Sequence, residues 1–293
     1  MTTDIPTDAL FVPTDRHGRQ FHDGEETLWS LPSPAEGTDG GTVPGAVKKP
    51  PAGGNVVLLD LDGLLEDLGE RIFVATGIGT SAQLVSETAW SLSAAANFAL
   101  DCAEHVSANA ASVALASGET LVDAIAAARK WLEDASGDTG LLGRISRLAT
   151  LRRLRHAAGE VGDAAFDTAI DVQAADEDLF EDERWTAIAS TRDAVLAAIE
   201  AVRHDAFPHI TDASSDASES ERREGAQSLP TVLETPWGSF RSSHTSGVVP
   251  AWVAATEAAE RARQAATDAA GADATASERI WQRDRLAQAL RGG

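Results

Sequence analysis

Two aspartates in the first quarter of the chain stand where a carboxylate could react. Asp60 and Asp62 follow the hydrophobic run VVLL at residues 56–59, which we predict to be a short strand, and a glycine comes directly after them. A carboxylate at the end of a strand can accept a phosphoryl group as a nucleophile, while Mg²⁺ neutralises the charge. The order of residues therefore raises phosphoryl transfer as a hypothesis.

The stretch VVLLDLDGLL at residues 56–65 resembles motif I of the haloacid-dehalogenase phosphatases, and the resemblance implies that Asp60 is the nucleophile and Asp62 the acid/base. That family also needs several further parallel strands, with a lysine and an acidic pair at their ends. Here the following chain predicts helices, Lys130 falls inside one of them, and Leu64 stands where the family usually has Thr or Val. Because the motif lacks its structural context, we interpret it as a solvated turn and keep a phosphatase as the third functional hypothesis.

Two groups of histidines and acids have spacings that would suit metal ligands. Asp101 and His105 share a helix face at i and i+4, and His204, Asp205 and His209 surround a predicted helix end. Two or three weakly grouped ligands do not make a metal site, and no Ser/His/Asp or Cys/His set has the context of a catalytic triad. We therefore predict no catalytic residue, no metal and no cofactor.

One basic island interrupts an otherwise acidic chain. Its functional interpretation is a patch for an anion or an acidic partner; the interpretation we favour is intramolecular pairing with the acidic run at residues 176–183. No aromatic residue is interleaved with the arginines, so the island is not a nucleic-acid signature. The arginines of the island are Arg144, Arg147, Arg152, Arg153 and Arg155.

The composition is that of a salt-adapted protein. The 293 residues include 46 acidic and 24 basic ones, a formal net charge of −22, with no tyrosine and lysine only at Lys48, Lys49 and Lys130. This pattern is typical of salt-in halophiles, archaea among them, because molar salt shortens the Debye length to roughly 3 Å and screens surface repulsion. Neither a nucleic acid nor an anionic membrane is an expected partner, since both require a basic footprint. Cys102, the only cysteine, is predicted to be a small buried thiol.

Helices are predicted to organise the molecule, beginning with a pair between residues 81 and 136. Residues 82–117 contain neither Gly nor Pro and predict the first helix. Thr120, with Asp123 three residues on, resembles a capping box that starts the second helix. Large packing residues are expected to fill the gaps between alanine-rich helices, and these are Trp90, Trp131, Trp185 and Trp281.

The predicted fold is mainly α, an alanine-rich helical bundle with a small β-containing N-terminal region. No secretory signal and no apolar run long enough to span a membrane are evident, so the expected location is the cytoplasm, or a virion for an assembly protein. The predicted divisions are a flexible arm or linker with a possible hairpin (1–54), a short β-containing segment (55–80), a helical bundle (81–207), a disordered or loop insert (208–248) and C-terminal helices packed on the bundle (249–293).

Three pieces, in chain order, resemble a family of immunity proteins of polymorphic toxin systems. They are NFALDCAEHV at residues 97–106, LVDAIAAARKWLEDASG at 121–137 and ERIWQRDRLAQAL at 278–290. The resemblance implies a helical binding protein that neutralises a toxin by occupying its surface and carries no catalytic residues. It also implies that Trp131 and Trp281 are packing residues, which tie the last helix to the first helical pair.

The leading functional hypothesis is thus a non-enzymatic protein that binds a protein partner, an immunity protein that neutralises a toxin. The alternative is a structural or assembly component of a virion or large complex in a halophile, whose N-terminal arm orders against neighbours. A closed bundle with the last helix docked on the first pair would favour the immunity hypothesis. A parallel sheet ending at Asp60 would favour the phosphatase.

Overall fold

The computed structural model describes residues 8–23, 25–34, 42–111, 120–135, 183–206, 233–235, 238–240 and 250–292. The strands are β1 (Leu10–Thr14), β2 (Arg19–His22), β3 (Glu25–Trp29), β4 (Ser33–Pro34), β5 (Thr42–Val43), β6 (Gly45–Lys49), β7 (Arg71–Thr76), β8 (Gln83–Glu87), β9 (Leu233–Thr235) and β10 (Gly238–Phe240). The helices are α1 (Leu61–Leu64), α2 (Leu92–Val106), α3 (Leu121–Ala135), α4 (Glu183–Ala206), α5 (Ala251–Ala270) and α6 (Ala272–Arg291), with 3-10 turns at Gly79–Ser81 and Ser107–Ala110.

A six-stranded antiparallel sheet forms the N-terminal part, in the order β1-β7-β8-β6-β3-β2. The two edge strands, β1 and β2, contact each other, so the sheet curls into a nearly closed barrel. The turn between them closes with a hydrogen bond from Asp15 N to Arg19 O of 2.9 Å. Gly18 in this turn has a φ of +80°, and a Cβ there would lie 2.8 Å from Trp29 O, so the turn requires glycine.

The sheet separates two hydrophobic cores. Val12, Trp29, Phe73 and Leu84 are buried in the smaller core, inside the curl of the sheet. Phe11, together with other residues of the opposite face, joins the larger core, which the helices complete. Adjacent side chains of β1 therefore point into different cores, because successive side chains of a strand alternate between faces.

The helical part is packed mainly by alanine. Helices α2, α4 and α5 contact one another, and small side chains let their backbones approach closely. Helix α6 folds back on α5 after Gly271, forming an antiparallel hairpin that also contacts α2 and α1. The fully buried alanines of these helices include Ala95, Ala99, Ala194, Ala198, Ala201, Ala255, Ala258, Ala259 and Ala262.

The predicted mainly α class is wrong, because the chain combines a six-stranded antiparallel sheet with its helices. Residues 10–49, predicted as an arm or linker, supply β1, β2, β3 and β6 of that sheet. Their Pro- and Gly-rich composition concealed short strands, of which β1 and β6 pair with strands distant in sequence. The N-terminal β structure is therefore a major layer of the fold.

Predictions for individual elements had mixed outcomes. Residues 83–87 were predicted to open a helix but form β8, paired with β7, and residues 56–59 make only an isolated bridge between Leu59 and Phe11. Strand β7 lies within residues 55–80, which were predicted to contain β structure, and the capping box at Thr120 is confirmed at the start of α3.

Among the helices that the structure describes, none is long and apolar enough to cross a membrane.

Candidate functional site

A cleft of about 540 Å³ lies between α2 and α6. Helix α2 begins at the cap Ser91, whose hydroxyl accepts a hydrogen bond from Ala94 N at 3.1 Å, and it buries the face that carries Phe98 and Cys102. The neighbouring face of α2 borders the cleft. The lining side chains are Asp101, Glu104, His105, Trp281, Asp284, Arg285 and Gln288.

Helix α6 faces the protein with a stripe at intervals of four residues. Its buried members are Glu278, Gln282, Leu286 and Leu290, so polar side chains enter the core in one half of the helix and leucines in the other. A buried polar side chain is costly unless it is hydrogen-bonded. The polar half must therefore find partners on neighbouring helices.

Those partners form a chain of hydrogen bonds, which we call the buried polar chain: Glu66, Arg263, Gln282, Glu278 and His105. The Arg263 guanidinium donates to Gln282 Oε1 at 2.8 Å and to Glu66 Oε2 at 3.0 Å. Gln282 Nε2 donates to Glu278 Oε1 and to Ala259 O, each at 2.9 Å. The chain thus joins the turn after α1 to α5, α6 and α2, through side chains that are almost completely buried in the middle.

His105 stands at the cleft end of this chain. Its Nδ1 lies 2.5 Å from Glu278 Oε2, and the Glu278 side chain is only 3% exposed. The imidazole stacks flat on the Trp281 ring, with centroids 3.9 Å apart and an interplanar angle of 1°. Two contacts therefore fix the orientation of the ring.

Asp101 joins three helices beside His105. Its carboxylate accepts from Arg129 Nη2 at 3.0 Å and from Arg285 Nε at 2.5 Å, while Arg129 also donates to Glu104 at 2.6 Å. Partial burial lowers the pKa of Arg129, but the carboxylates of Asp101 and Glu104 outweigh it and raise that pKa above its ordinary value. The cluster holds α3 and α6 against α2.

Cys102 lies directly behind this cluster and is fully buried. Burial raises the pKa of its thiol well above the ordinary value, and the negative charges of Glu278 and Asp101 raise it further. Since the thiolate is the reactive form, Cys102 is an inert core thiol, in keeping with its prediction from the sequence.

The two aspartates of the DxDG motif have structural contacts. Asp60 caps α1 by accepting from Gly63 N at 2.8 Å, and Asp62 accepts from Arg279 Nε at 2.9 Å. Glu66 binds the same Arg279 at 3.0 Å. In the described part of the chain all strand pairs are antiparallel, so the parallel sheet that a phosphatase needs is not formed there.

The tryptophans chosen from the sequence occupy different places. Trp90 is buried, donates to Gly69 O at 2.9 Å and meets Phe98 edge-on at 6.3 Å. Trp131 is buried in α3, and Trp281 is the half-buried partner of His105. The side chain of Trp185 lies outside the described residues. The arginine island, from Arg144 to Arg155, and the acidic run at 176–182 lie outside them as well.

The cleft is lined by charged and hydrogen-bonding side chains around the Trp281 ring. Within the described ranges no group of three or more His, Cys, Asp or Glu side chains could hold a metal ion. The sequence pairs Asp101 with His105 on one face, but the structure gives these residues separate partners.

Sequence reasoning missed Glu278, Gln282 and Arg263. The available signal was Glu278 and Gln282, a polar pair at i and i+4 within the stripe that continues to Leu286 and Leu290.

Comparisons with protein-family models, with curated proteins and with solved structures find no match to this chain.

Proposed function

We propose that this chain is a non-enzymatic protein that binds a protein partner, an immunity protein that neutralises a toxin by occupying its surface. One observation carries the proposal. Asp101 lies in the first of the three segments that resemble the immunity family, and it binds Arg129 of the second and Arg285 of the third. His105 of the first segment also contacts Glu278 and Trp281 of the third.

Chance similarity between alanine-rich helices would not require these particular residues to meet. His105 and Glu278 are 173 positions apart in sequence, yet their side chains are hydrogen-bonded. The polar residues that carry the resemblance are thus those that hold α2, α3 and α6 together. This convergence supports treating the three segments as one structural signature.

The docking of the last helix adds support. Ala89 N, just before α2, donates to Leu290 O near the end of α6 at 2.9 Å. Trp281 attaches the middle of α6 to α2, and Arg285 attaches the second half. In this proposal Trp281 acts as a packing residue.

The charge of the chain suits a basic partner. With a net charge of −22, the protein attracts a positively charged toxin such as a nuclease, although molar salt weakens long-range steering. The proposed setting is the cytoplasm of a halophile. The assembly alternative receives less support, because β1, β2, β3 and β6 of the N-terminal part pair within the chain's own sheet.

The test is capture of the partner from the native host lysate in molar KCl, with the tagged protein as bait, followed by mass spectrometry. We expect one basic protein at near-equal stoichiometry. Expressed alone, that protein should arrest growth, and co-expression with this chain should restore it. An unrelated acidic protein of the same host, carrying the same tag, serves as the control for charge alone.

Recovery of many copies of the chain itself, or of coat-like proteins, would contradict the proposal and favour an assembly role. A captured partner that leaves growth unaffected would contradict the neutralising function.

A further inference from the structure

The imidazole of His105 offers one nitrogen to the cleft in a fixed orientation. Its Nδ1 faces the buried Glu278 carboxylate, so in the neutral ring Nδ1 carries the hydrogen and Nε2 is the acceptor. No hydrogen-bond partner of Nε2 is present among the described residues. The His105 side chain is 42% exposed and lines the cleft, and stacking on Trp281 keeps the ring from turning. The acceptor is therefore positioned before any ligand arrives.

The charges that border the cleft are unbalanced. Asp101, Glu104 and Asp284 supply carboxylates, and Arg285 is the one cation among the lining side chains. Arg285 is already bound to Asp101, and Arg129 binds both Asp101 and Glu104. Asp284 is exposed and has no ion pair within the described part of the chain. The open acceptors are thus His105 Nε2 and the Asp284 carboxylate.

A ligand for these acceptors must carry a positive charge and several N–H donors. The guanidinium of arginine has five donors in a rigid plane, whereas the ammonium of lysine is a strongly hydrated point charge. A volume of about 540 Å³ has room for one such side chain. A metal ion does not fit, since no group of three or more ligating side chains is present in the described ranges.

We propose that the cleft between α2 and α6 recognises the guanidinium group of an arginine side chain on the protein partner, with His105 Nε2 and the Asp284 carboxylate as its acceptors. This inference deepens the proposed function and rests on it. Hydrogen bonds inside a cleft withstand molar salt better than long-range attraction does. Such a site therefore supplies specificity where steering is weak.

The test is a titration of the full chain in molar KCl with the capped peptides acetyl-Gly-Arg-Gly-amide and acetyl-Gly-Lys-Gly-amide. The indole N–H signal of Trp281, assigned from its loss in Trp281→Phe, reports binding by NMR. We expect a saturable shift with the arginine peptide and at least about tenfold weaker binding of the lysine peptide. Asp284→Asn should weaken arginine-peptide binding about tenfold, because one charge-assisted hydrogen bond is lost. Asp273→Asn, an exposed aspartate of the same helix, should leave binding unchanged.

No saturable shift, equal binding of the two peptides, or unchanged binding in Asp284→Asn would each overturn the inference. Free arginine that binds more tightly than the peptide would overturn the assignment to a side chain and indicate a small molecule.

A second experiment distinguishes failure of this inference from failure of the proposed function. If the captured partner binds wild type and Asp284→Asn with the same Kd, the arginine site is wrong while the immunity proposal stands. If the arginine peptide binds selectively but no toxin is captured, the proposed function fails and the cleft remains an arginine site.

Discussion

The sheet and the helices fill their interiors in opposite ways. Inside the sheet the buried side chains are large and differ in shape, with Trp29 1% exposed and Phe73 and Leu84 fully buried. Between α4 and α5 they are mostly alanines, such as Ala198 and Ala258, both fully buried. Large side chains interlock in one arrangement, whereas alanine surfaces are alike at every turn. The shapes of its buried side chains thus fix how the sheet packs, whereas the helices need another feature to fix their alignment.

We interpret the buried polar chain as the feature that fixes the alignment of the helices. Arg263 can reach Gln282, and Gln282 can reach Glu278, only when α5 and α6 are aligned as observed. A shifted alignment would leave these buried groups without partners, at a cost of about 1–3 kcal/mol for each group. Buried polar residues are known to specify register in other helical assemblies. Three substitutions test this difference between the sheet and the helices, and a fourth tests a local contact at a helix start.

The largest loss is expected from Trp29→Ala in the sheet. The change creates a cavity and removes the donor that binds Gln20 Oε1 at 3.1 Å, so the free energy of unfolding should fall by about 3–5 kcal/mol. Urea unfolding in molar KCl measures the loss. Trp29→Phe, which retains most of the volume, should cost clearly less, and equal losses for the two variants would contradict packing by shape.

Gln282→Leu should cause the second largest loss of stability. Leucine is similar in size to glutamine, but it leaves Arg263 and Glu278 with fewer hydrogen bonds. We expect the free energy of unfolding to fall by about 2–4 kcal/mol, and amide exchange to quicken in α6 more than in the sheet. Ala276→Leu, at an exposed position of the same helix, is the control. Unchanged exchange in α6 would mean that alanine packing alone fixes the register.

Ala258→Leu should follow, because a larger side chain must push α5 away from its neighbours. Overpacking of this kind costs about 1–3 kcal/mol, measured by the same urea titration. Ala269→Leu, at an exposed position of α5, should change stability little. If Ala258→Leu were tolerated equally well, the close approach of the helices would not depend on small residues.

The smallest effect is expected from Thr120→Ala at the start of α3. The backbone N–H of Thr120, followed by its hydroxyl, donates to Asp123 and lowers the pKa of that carboxyl. A carboxyl group whose pKa is lower in the folded state than in the unfolded state stabilises the folded protein at pH values above the unfolded pKa. This stabilisation is lost as the pH falls through the folded pKa. Thr120→Ala should raise the pKa of Asp123 toward its ordinary value in an NMR titration. Asp273, which the substitution does not touch, is the internal control, and an unmoved Asp123 pKa would contradict the capping contact.

Local signals in the sequence predicted local structure well. Thr120 and Asp123 are three residues apart, and the physics of a helix start concerns only those residues, so the capping box was predicted and is confirmed. The buried face of α3, with Leu121, Ile125 and Ala128, also follows from spacing alone.

Distant pairings were missed for the same reason. Residues 83–87 lack Gly and Pro and resemble the start of a helix, but pairing with β7 makes them a strand. No local pattern signals the contact between His105 and Glu278, because their neighbours in sequence carry no mark of a partner 173 positions away. The alanine-rich composition indicated helices, but it could not reveal the sheet beside them.

The alkylation rate of Cys102 measures how often this fold opens. The Cys102 thiol is buried among the helices, and burial together with neighbouring negative charges raises its pKa, so an alkylating reagent reacts only when the helices around it separate. With a single cysteine in the chain, each modified molecule records one opening, and a mass spectrum over time gives the frequency of these events. Alkylation of Cys102 should be faster in Gln282→Leu than in the wild type, whereas substitutions that destabilise only the sheet should leave the alkylation rate unchanged. Cys102, which takes no part in the proposed recognition, thus reports when the helices behind the cleft come apart.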